Sequence, residues 1–486
     1  MKYFNWAILA TLVMACESKK EQVAEQRYSE QYRPQIHFSP AKNWTNDPNG
    51  LVYHEGEYHL FFQYNPYGDT WGHMSWGHAV SKDLMHWEEL PLAIEEYQDA
   101  ATGDSTMIFS GTVVIDKENT AGFGTNAMIA IYTSHVHKNN EAVVQHQSLA
   151  YSTDKGRTWK RYEKNPILDI QRKDFRDPKV FWLESQQKWV MALVVPDLYK
   201  VQFYSSTNLK EWKLMSEFGN AGDRQRIWEC PDLYELPIEN DPEKTKWVLS
   251  FSGSHPQGKD FVGMQYFIGT FDGNTFKAGD DSTRYLDFGK DFYAGIVFNN
   301  LSKKIMLGWV NNWTYGNQIP TSPWRGAFSI PRELSLKERA GQFELRQRPI
   351  DVSLQRESEL KSFTDINNTI EMELEIDSTV HSGIKVTDNS GKQLIIGVHN
   401  GRVYIDRSQS QGTVFHPQFA SIESAPLRSG KTKLKIFVDQ SIVEVFVNDG
   451  EVAMCEQFYL PNQKYSITAF GNASIKNAWA LKSIWR

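Results

Sequence analysis

"SKDLMHW", Ser81–Trp87, recurs twice in altered form, as "STDKGRTW" at Ser152–Trp159 and "STNLKEW" at Ser206–Trp212. Each version is a serine, one residue, an aspartate or asparagine, a short turn and a tryptophan. "GTFDGNTF", Gly269–Phe276, is a fainter fourth. The acid or amide stands at positions 83, 154, 208 and 272, so the steps are 71, 54 and 64 residues. Uneven steps of this size suit four-stranded propeller blades that carry loop insertions. Between the copies run short β-type segments such as "EYHLFFQY", "AMIAIYTS", "KWVMALVV" and "KIMLGWV". None keeps a helical period. Four signatures, with the strands from Asp291 to Leu345, predict five blades over residues 35–347.

Past about residue 350 the pattern changes. "TIEMELEI" alternates, with Ile370, Met372, Leu374 and Ile376 on one face and Glu371, Glu373 and Glu375 on the other. Asn400-Gly401 reads as a hairpin turn, as do Asp439-Gln440-Ser441 and Asn448-Asp449-Gly450. The expected fold is therefore all-β: a five-bladed β-propeller, a linker at 348–361, and a C-terminal β-sandwich at 362–486.

The chain of 486 residues is long enough for two domains, and its 52 basic against 59 acidic side chains, net −7, argue against a nucleic-acid partner. The N-terminus "MKYFNWAILATLVMAC" has Lys2, a short apolar run and Ala15-Cys16. The run is too short to span a bilayer and reads as a signal peptide, residues 1–15. "VMAC" resembles a bacterial lipobox, which implies lipidation of Cys16 and a polar tether at 16–34. Several acyl chains would anchor the protein to the cell envelope, its one membrane contact. Glu17 is not the aspartate that holds enteric lipoproteins at the inner membrane, which points to the outer membrane. Cys230 and Cys455 are then two buried free thiols. His73 and His78 in "HMSWGH" read as opposite faces of a strand with no acid or cysteine to complete a metal site. No metal and no cofactor is expected.

Three acids share a context. Asp47 lies in "NDP", Asp177 in "FRDP" and Glu229 in "WECP", each near a proline and each opening a predicted blade. Alone, Asp47-Pro48-Asn49-Gly50 reads as a β-turn. A propeller, however, gathers its innermost strands around one axis, so three such acids would meet at one mouth.

In "WTNDPNGL" (44–51), "FFQYNP" (61–66), "WGHMSWGHAVSKDLMHW" (71–87), "FSGT" (109–112), "FRDPKV" (175–180), "WECPDL" (228–233), "DFYA" (291–294) and "VDQSIVEVFVNDG" the chain resembles glycoside hydrolase family 32, the β-fructosidases. The likeness spans residues 35–486. Thr45 departs from the Met or Leu usual there. The resemblance implies Asp47 as nucleophile, Glu229 as acid/base and Asp177 as transition-state stabiliser, held by Arg176. It also implies that Asn46, Gln63, Trp71, Phe109, Ser110 and Arg176 surround the terminal fructosyl unit, with Trp313 as an apolar wall. A retaining pair stands roughly 5 to 5.5 Å apart, and the charge on the nucleophile helps keep the proton on the acid.

The implied reaction is retaining hydrolysis of β-fructofuranosides: levan, inulin, fructo-oligosaccharides or sucrose. Asp47, where several fungal endo-inulinases have Glu, favours exo-action; a surface anchor favours an endo-acting levanase or inulinase. The mouth loops after Tyr97, at Lys138–Gln147 and at Gly253–Asp260 are of modest length and favour neither. Three other readings remain: a fructosyltransferase, an inverting arabinan- or xylan-type hydrolase, and a non-catalytic fructan-binding lipoprotein.

Overall fold

A computed structural model describes residues 28–254, 263–367, 369–428, 430–462 and 464–485. The signal peptide, Cys16 and most of the tether lie outside them. Among the described residues there are strands and four short 3₁₀ turns but no α-helix.

The repeat is the turn into the outer strand of a blade. In the first copy Ser81 Oγ accepts the N–H of Leu84 at 2.9 Å, Asp83 Oδ1 accepts those of Met85 and His86, and Trp87 Nε1 donates back to Leu84. Ser152/Asp154/Trp159 and Ser206/Asn208/Trp212 repeat the arrangement. The short polar side chains supply the turn's backbone bonds and the tryptophan staples its base, so one local solution serves several blades.

Five blades result, with innermost strands Asn43–His54, Ser105–Asp116, Arg176–Leu183, Ile227–Ile238 and Tyr293–Val297. Each innermost strand packs against the next, and the fifth returns to the first. The ring is closed there by Asn299, whose N–H donates to Leu51 O at 2.8 Å and whose carbonyl accepts from Tyr53. Trp324–Arg325 also pairs in parallel with Asn43–Trp44. Apolar layers between blades, such as Val190, Phe203, Trp228, Phe251 and Phe267, fill the spaces.

The second unit packs a six-stranded sheet on a five-stranded one. Ile370, Met372, Leu374 and Ile376 enter its core with Ile396, Val403, Ile436 and Val445. Glu371, on the other face, is nevertheless buried, because Arg356 forks onto it at 2.7 and 2.9 Å and Lys435 adds a third bond at 2.9 Å. Asn400 and Gly401 take positive φ, as a type I′ turn requires.

Two segments differ from their reading. The linker at 348–361 contains an edge strand, Arg356–Glu359, paired with Ser474–Leu481 of the sandwich. The end of the tether is docked: Arg33 is buried, bonded to Ser39 and to the carbonyls of Pro40 and Ala41, with its guanidinium 3.7 Å from the Trp324 ring centre. Tyr28 stacks on Trp485 at 4.0 Å. A charged residue in a polar stretch reads as solvated until its acceptors, here both Glu30 carboxylate oxygens, Ser39 Oγ and two carbonyls, are known.

Candidate active site

Each of the five innermost strands carries one residue more than its neighbour at the same level. Asp47 is the extra residue in the first strand; Phe109-Ser110, Asp177-Pro178, Cys230-Pro231 and Ala294-Gly295 each span a single partner in the others. Such bulges twist a strand and re-aim its side chains. Asp177, Cys230 and Ala294 adopt φ of +64°, +48° and +53°, where residues with a Cβ are uncommon. Proline fits after the bulged residue because it removes a donor where the ladder is already broken.

Asp47-Pro48-Asn49-Gly50 is therefore not a β-turn but the interior of strand Asn43–His54. A second irregularity follows between Asn49 and Val52, and a Cβ on Gly50 would stand 2.7 Å from Phe61 and Val113. Glycine is required there for close packing of two blades.

The bulges bring the three acids together. Asp47 Oδ2 accepts a hydrogen bond from Ser110 Oγ at 2.7 Å and lies 3.4 Å from Cys230 Sγ. Its Oδ1 is buried and makes no hydrogen bond of good geometry among the described residues. Asp177 Oδ2 accepts the Cys230 N–H at 2.9 Å, and the Asp177 N–H donates to Thr133 Oγ1 at 3.0 Å. Glu229 Oε1 accepts from Arg176 Nη2 at 3.1 Å, and Oε2 accepts from the Tyr293 hydroxyl at 2.5 Å. Arg176 pairs with Asp177 only at ion-pair distance, 3.9 Å from Nε; its hydrogen bonds go to Glu229 and, at 2.8 Å, to Asp174. The Cys230 amide fixes Asp177 instead.

Burial pushes the Asp47 carboxyl above its ordinary range; the Ser110 hydrogen bond opposes this and the charge of Glu229 adds to it. Burial likewise pushes Asp177 up to about 7, against the pull of Arg176 and with the repulsion of Glu229 and Asp47. The Cys230 thiol is driven up by burial and by the same acids, so it stays protonated and donates. Three carboxyls facing one inner guanidinium cannot all ionise cheaply, and the cluster keeps a proton toward neutral pH as a property of the set.

The remaining predicted residues surround this cluster. Asn46 Oδ1 accepts from Trp44 Nε1 at 2.8 Å, and Gln63 Nε2 donates to Ile108 O at 3.0 Å. Trp71 is exposed at the rim, edge-on to Phe109 at 6.2 Å. Phe109 stacks on His135, and half-buried Trp313 packs against Trp309 and Tyr293. His73 and His78 are not on one strand: His73 precedes Ser75–Ser81, is exposed and is bonded to Glu96 at 2.7 Å, while His78 is buried against His59 at 3.0 Å. No group of His, Cys, Asp and Glu among the described residues could hold a metal. A cleft of about 830 Å³, further along the inner strands at Lys179 and Asp232, contains none of the three acids.

Tyr293, Cys230 and Thr133 are site residues that the sequence reading did not assign. The clue to Tyr293 is its place in "DFYA", at the head of the fifth blade, where three of the other blades carry an acid.

Residues 37–349 match the model of the glycosyl hydrolases family 32 N-terminal domain, and residues 340–484 that of the family 32 C terminal. A levanase of Bacillus subtilis is 41% identical, over 98% of this chain and 74% of the levanase. An extracellular exo-inulinase of Aspergillus awamori is 39% identical, over 89% of this chain and 90% of its own. The crystal structure of the Aspergillus awamori exo-inulinase superposes with a TM-score of 0.86 at 37% identity, over 94% of this chain and 100% of the other. The chain is a glycosidase and belongs to glycosyl hydrolase family 32.

Proposed function

We propose that the protein is a lipid-anchored, retaining β-fructosidase that releases fructose from the ends of fructans and from sucrose. One observation carries the catalytic reading: Ser110 and Cys230 hold Asp47 Oδ2, while Oδ1 makes no hydrogen bond of good geometry among the described residues. The less encumbered oxygen is the better nucleophile, and donors on its partner favour the ionised form against the cost of burial. Asp47 Oδ1 attacks the anomeric carbon of the terminal fructosyl unit as Glu229 gives its proton to the leaving oxygen. The C–O bond breaks and a fructosyl ester of Asp47 forms. Glu229, now a carboxylate stabilised by Arg176 and Tyr293, takes a proton from water as the water oxygen attacks the anomeric carbon; the bond to Asp47 breaks, Asp47 leaves as a carboxylate, and fructose is released with overall retention. Asp177, fixed by the Cys230 N–H, accepts from fructosyl hydroxyls and lends negative charge to the oxocarbenium-like transition state.

The relatives named levanase and exo-inulinase support a fructan substrate and attack from the chain end. The test is the product pattern from long inulin, from levan and from sucrose. Fructose almost alone in the first few per cent of hydrolysis is expected. A ladder of oligosaccharides would establish endo-action, and transfer products longer than the starting sucrose would establish a fructosyltransferase.

The anchor rests on "VMAC" and on the polar stretch that follows it. Cys16→Ala is expected to move the protein from the outer-membrane fraction to the soluble fraction. Retention of that variant on the membrane, or absence of lipid label on the wild type, would refute lipidation at Cys16.

A further inference from the structure

The proton-transfer site is attached to the sandwich. Residues 287–291, which lead into strand Tyr293–Val297, are sewn onto sandwich strand Val452–Gln457. Cys455 N donates to Asp287 Oδ1 at 2.9 Å and Gln457 N to Asp291 Oδ2 at 2.7 Å. In return, Phe288 N donates to Ala453 O and Asp291 N to Cys455 O, at 3.0 and 3.2 Å. The approach is so close that a Cβ on Gly289 would stand 2.1 Å from the Cys455 carbonyl oxygen. Only glycine permits it.

At the end of this seam lies a buried cluster of Arg407, Asp291 and Tyr315, with Glu456 a second carboxylate 2.8 Å from Arg407 Nη1. Arg407 of the sandwich bonds Asp291 Oδ2 through Nη1 and the Tyr315 hydroxyl through Nη2 at 2.6 Å, and Tyr315 in turn donates to Asp291 Oδ1. All three are essentially inaccessible to solvent. Asp291 stands two residues before Tyr293, whose hydroxyl bonds Glu229, and Tyr315 stands two residues after Trp313, whose ring is 6.4 Å from that of Tyr293. One guanidinium thus fastens both approaches to the acid/base. A buried ion pair is a poor source of stability compared with an apolar filling, because both charges are desolvated, but its fixed geometry can position what it holds.

We propose that the sandwich is part of the proton-transfer machinery, with Arg407, Asp291 and Tyr315 forming a clamp that positions Tyr293 and, through it, Glu229. The proposal rests on the acid/base role of Glu229. Arg407, Asp291 and Tyr315 are positioning residues, since none of them touches the acids directly.

The test compares Tyr315→Phe, Arg407→Lys and Tyr293→Phe in the full chain, on sucrose and on an aryl β-fructofuranoside whose leaving group needs little protonation. For all three variants, kcat/KM for sucrose is expected to fall about ten-fold or more and the burst rate on the aryl substrate by less than about two-fold, because the first step on that substrate needs no proton. The alkaline limb of kcat/KM should shift in the same direction in all three. A defect in folding alone would lower both substrates equally and leave the pH profile in place. Tyr315→Phe deletes one oxygen, and Arg407→Lys keeps the buried charge should Tyr315→Phe fail to fold. A selective loss in Tyr293→Phe but not in the folded clamp variants overturns the clamp and leaves the acid/base reading standing. Equal losses on both substrates in Tyr293→Phe remove that reading, and the clamp with it.

Discussion

Asp47→Asn is expected to lower kcat/KM for sucrose and fructans by about three orders of magnitude or more, which is about 4 kcal/mol of lost transition-state stabilisation. The amide oxygen can still accept the Ser110 hydrogen bond, so the pocket keeps its shape while losing its nucleophile. The substitution also predicts an opposite effect on stability. Asp47 is a buried carboxyl whose ionisation is disfavoured by burial and by Glu229, so the anion is a cost to the folded state. The neutral amide removes that cost, and the thermal midpoint of Asp47→Asn should equal or exceed that of the wild type near neutral pH. A folded variant with near-wild-type turnover would end the assignment. In the wild type, the acidic limb of kcat/KM should lie above the ordinary aspartate range, since attack requires the ionised form.

The blades were legible and the bulges were not, for one physical reason. The Ser81/Asp83/Trp87 turn satisfies itself within seven residues, so its chemistry shows in the chain alone. A bulge exists only relative to a partner strand. Asp47 is the extra residue because Asn46 faces Gln63 and Pro48 faces Phe62, and nothing within Asp47-Pro48-Asn49-Gly50 announces that pairing. Local turn chemistry was read correctly and was overridden by the ladder. Arg176 reads as the partner of its neighbour Asp177, and stays within 3.9 Å of it, but its hydrogen bond goes to Glu229, 53 positions away. The Trp324 ring against Arg33 and the strand that pairs with Arg356–Glu359 likewise lie in parts of the chain that only the fold brings near. The three acids themselves were visible through their family motifs, and the five-fold repetition of the bulge is what carries them to one mouth.

Glu229→Gln tests the other half of the mechanism and separates two steps that Asp47→Asn cannot. The glutamine keeps the size of the side chain and an oxygen for Arg176 or Tyr293, but it has no proton to give. Turnover of sucrose, whose leaving oxygen must be protonated, should fall about 10²- to 10⁴-fold. With an aryl β-fructofuranoside the first step survives, because a phenolate leaves unaided. The second step still needs a base to activate water, so the fructosyl ester of Asp47 should accumulate and appear as a burst of aryl product followed by a slow steady state. Equal losses on the two substrates with no burst would assign the proton to another group. Asp177, at about 7, is the one nearest to carrying it. The Cys230 N–H favours the Asp177 anion, as the Tyr293 and Arg176 donors favour that of Glu229, so the burst is what decides between the two. Glu229, between a tyrosine hydroxyl and a guanidinium that can stabilise it after the proton has left, is arranged for both halves of the cycle.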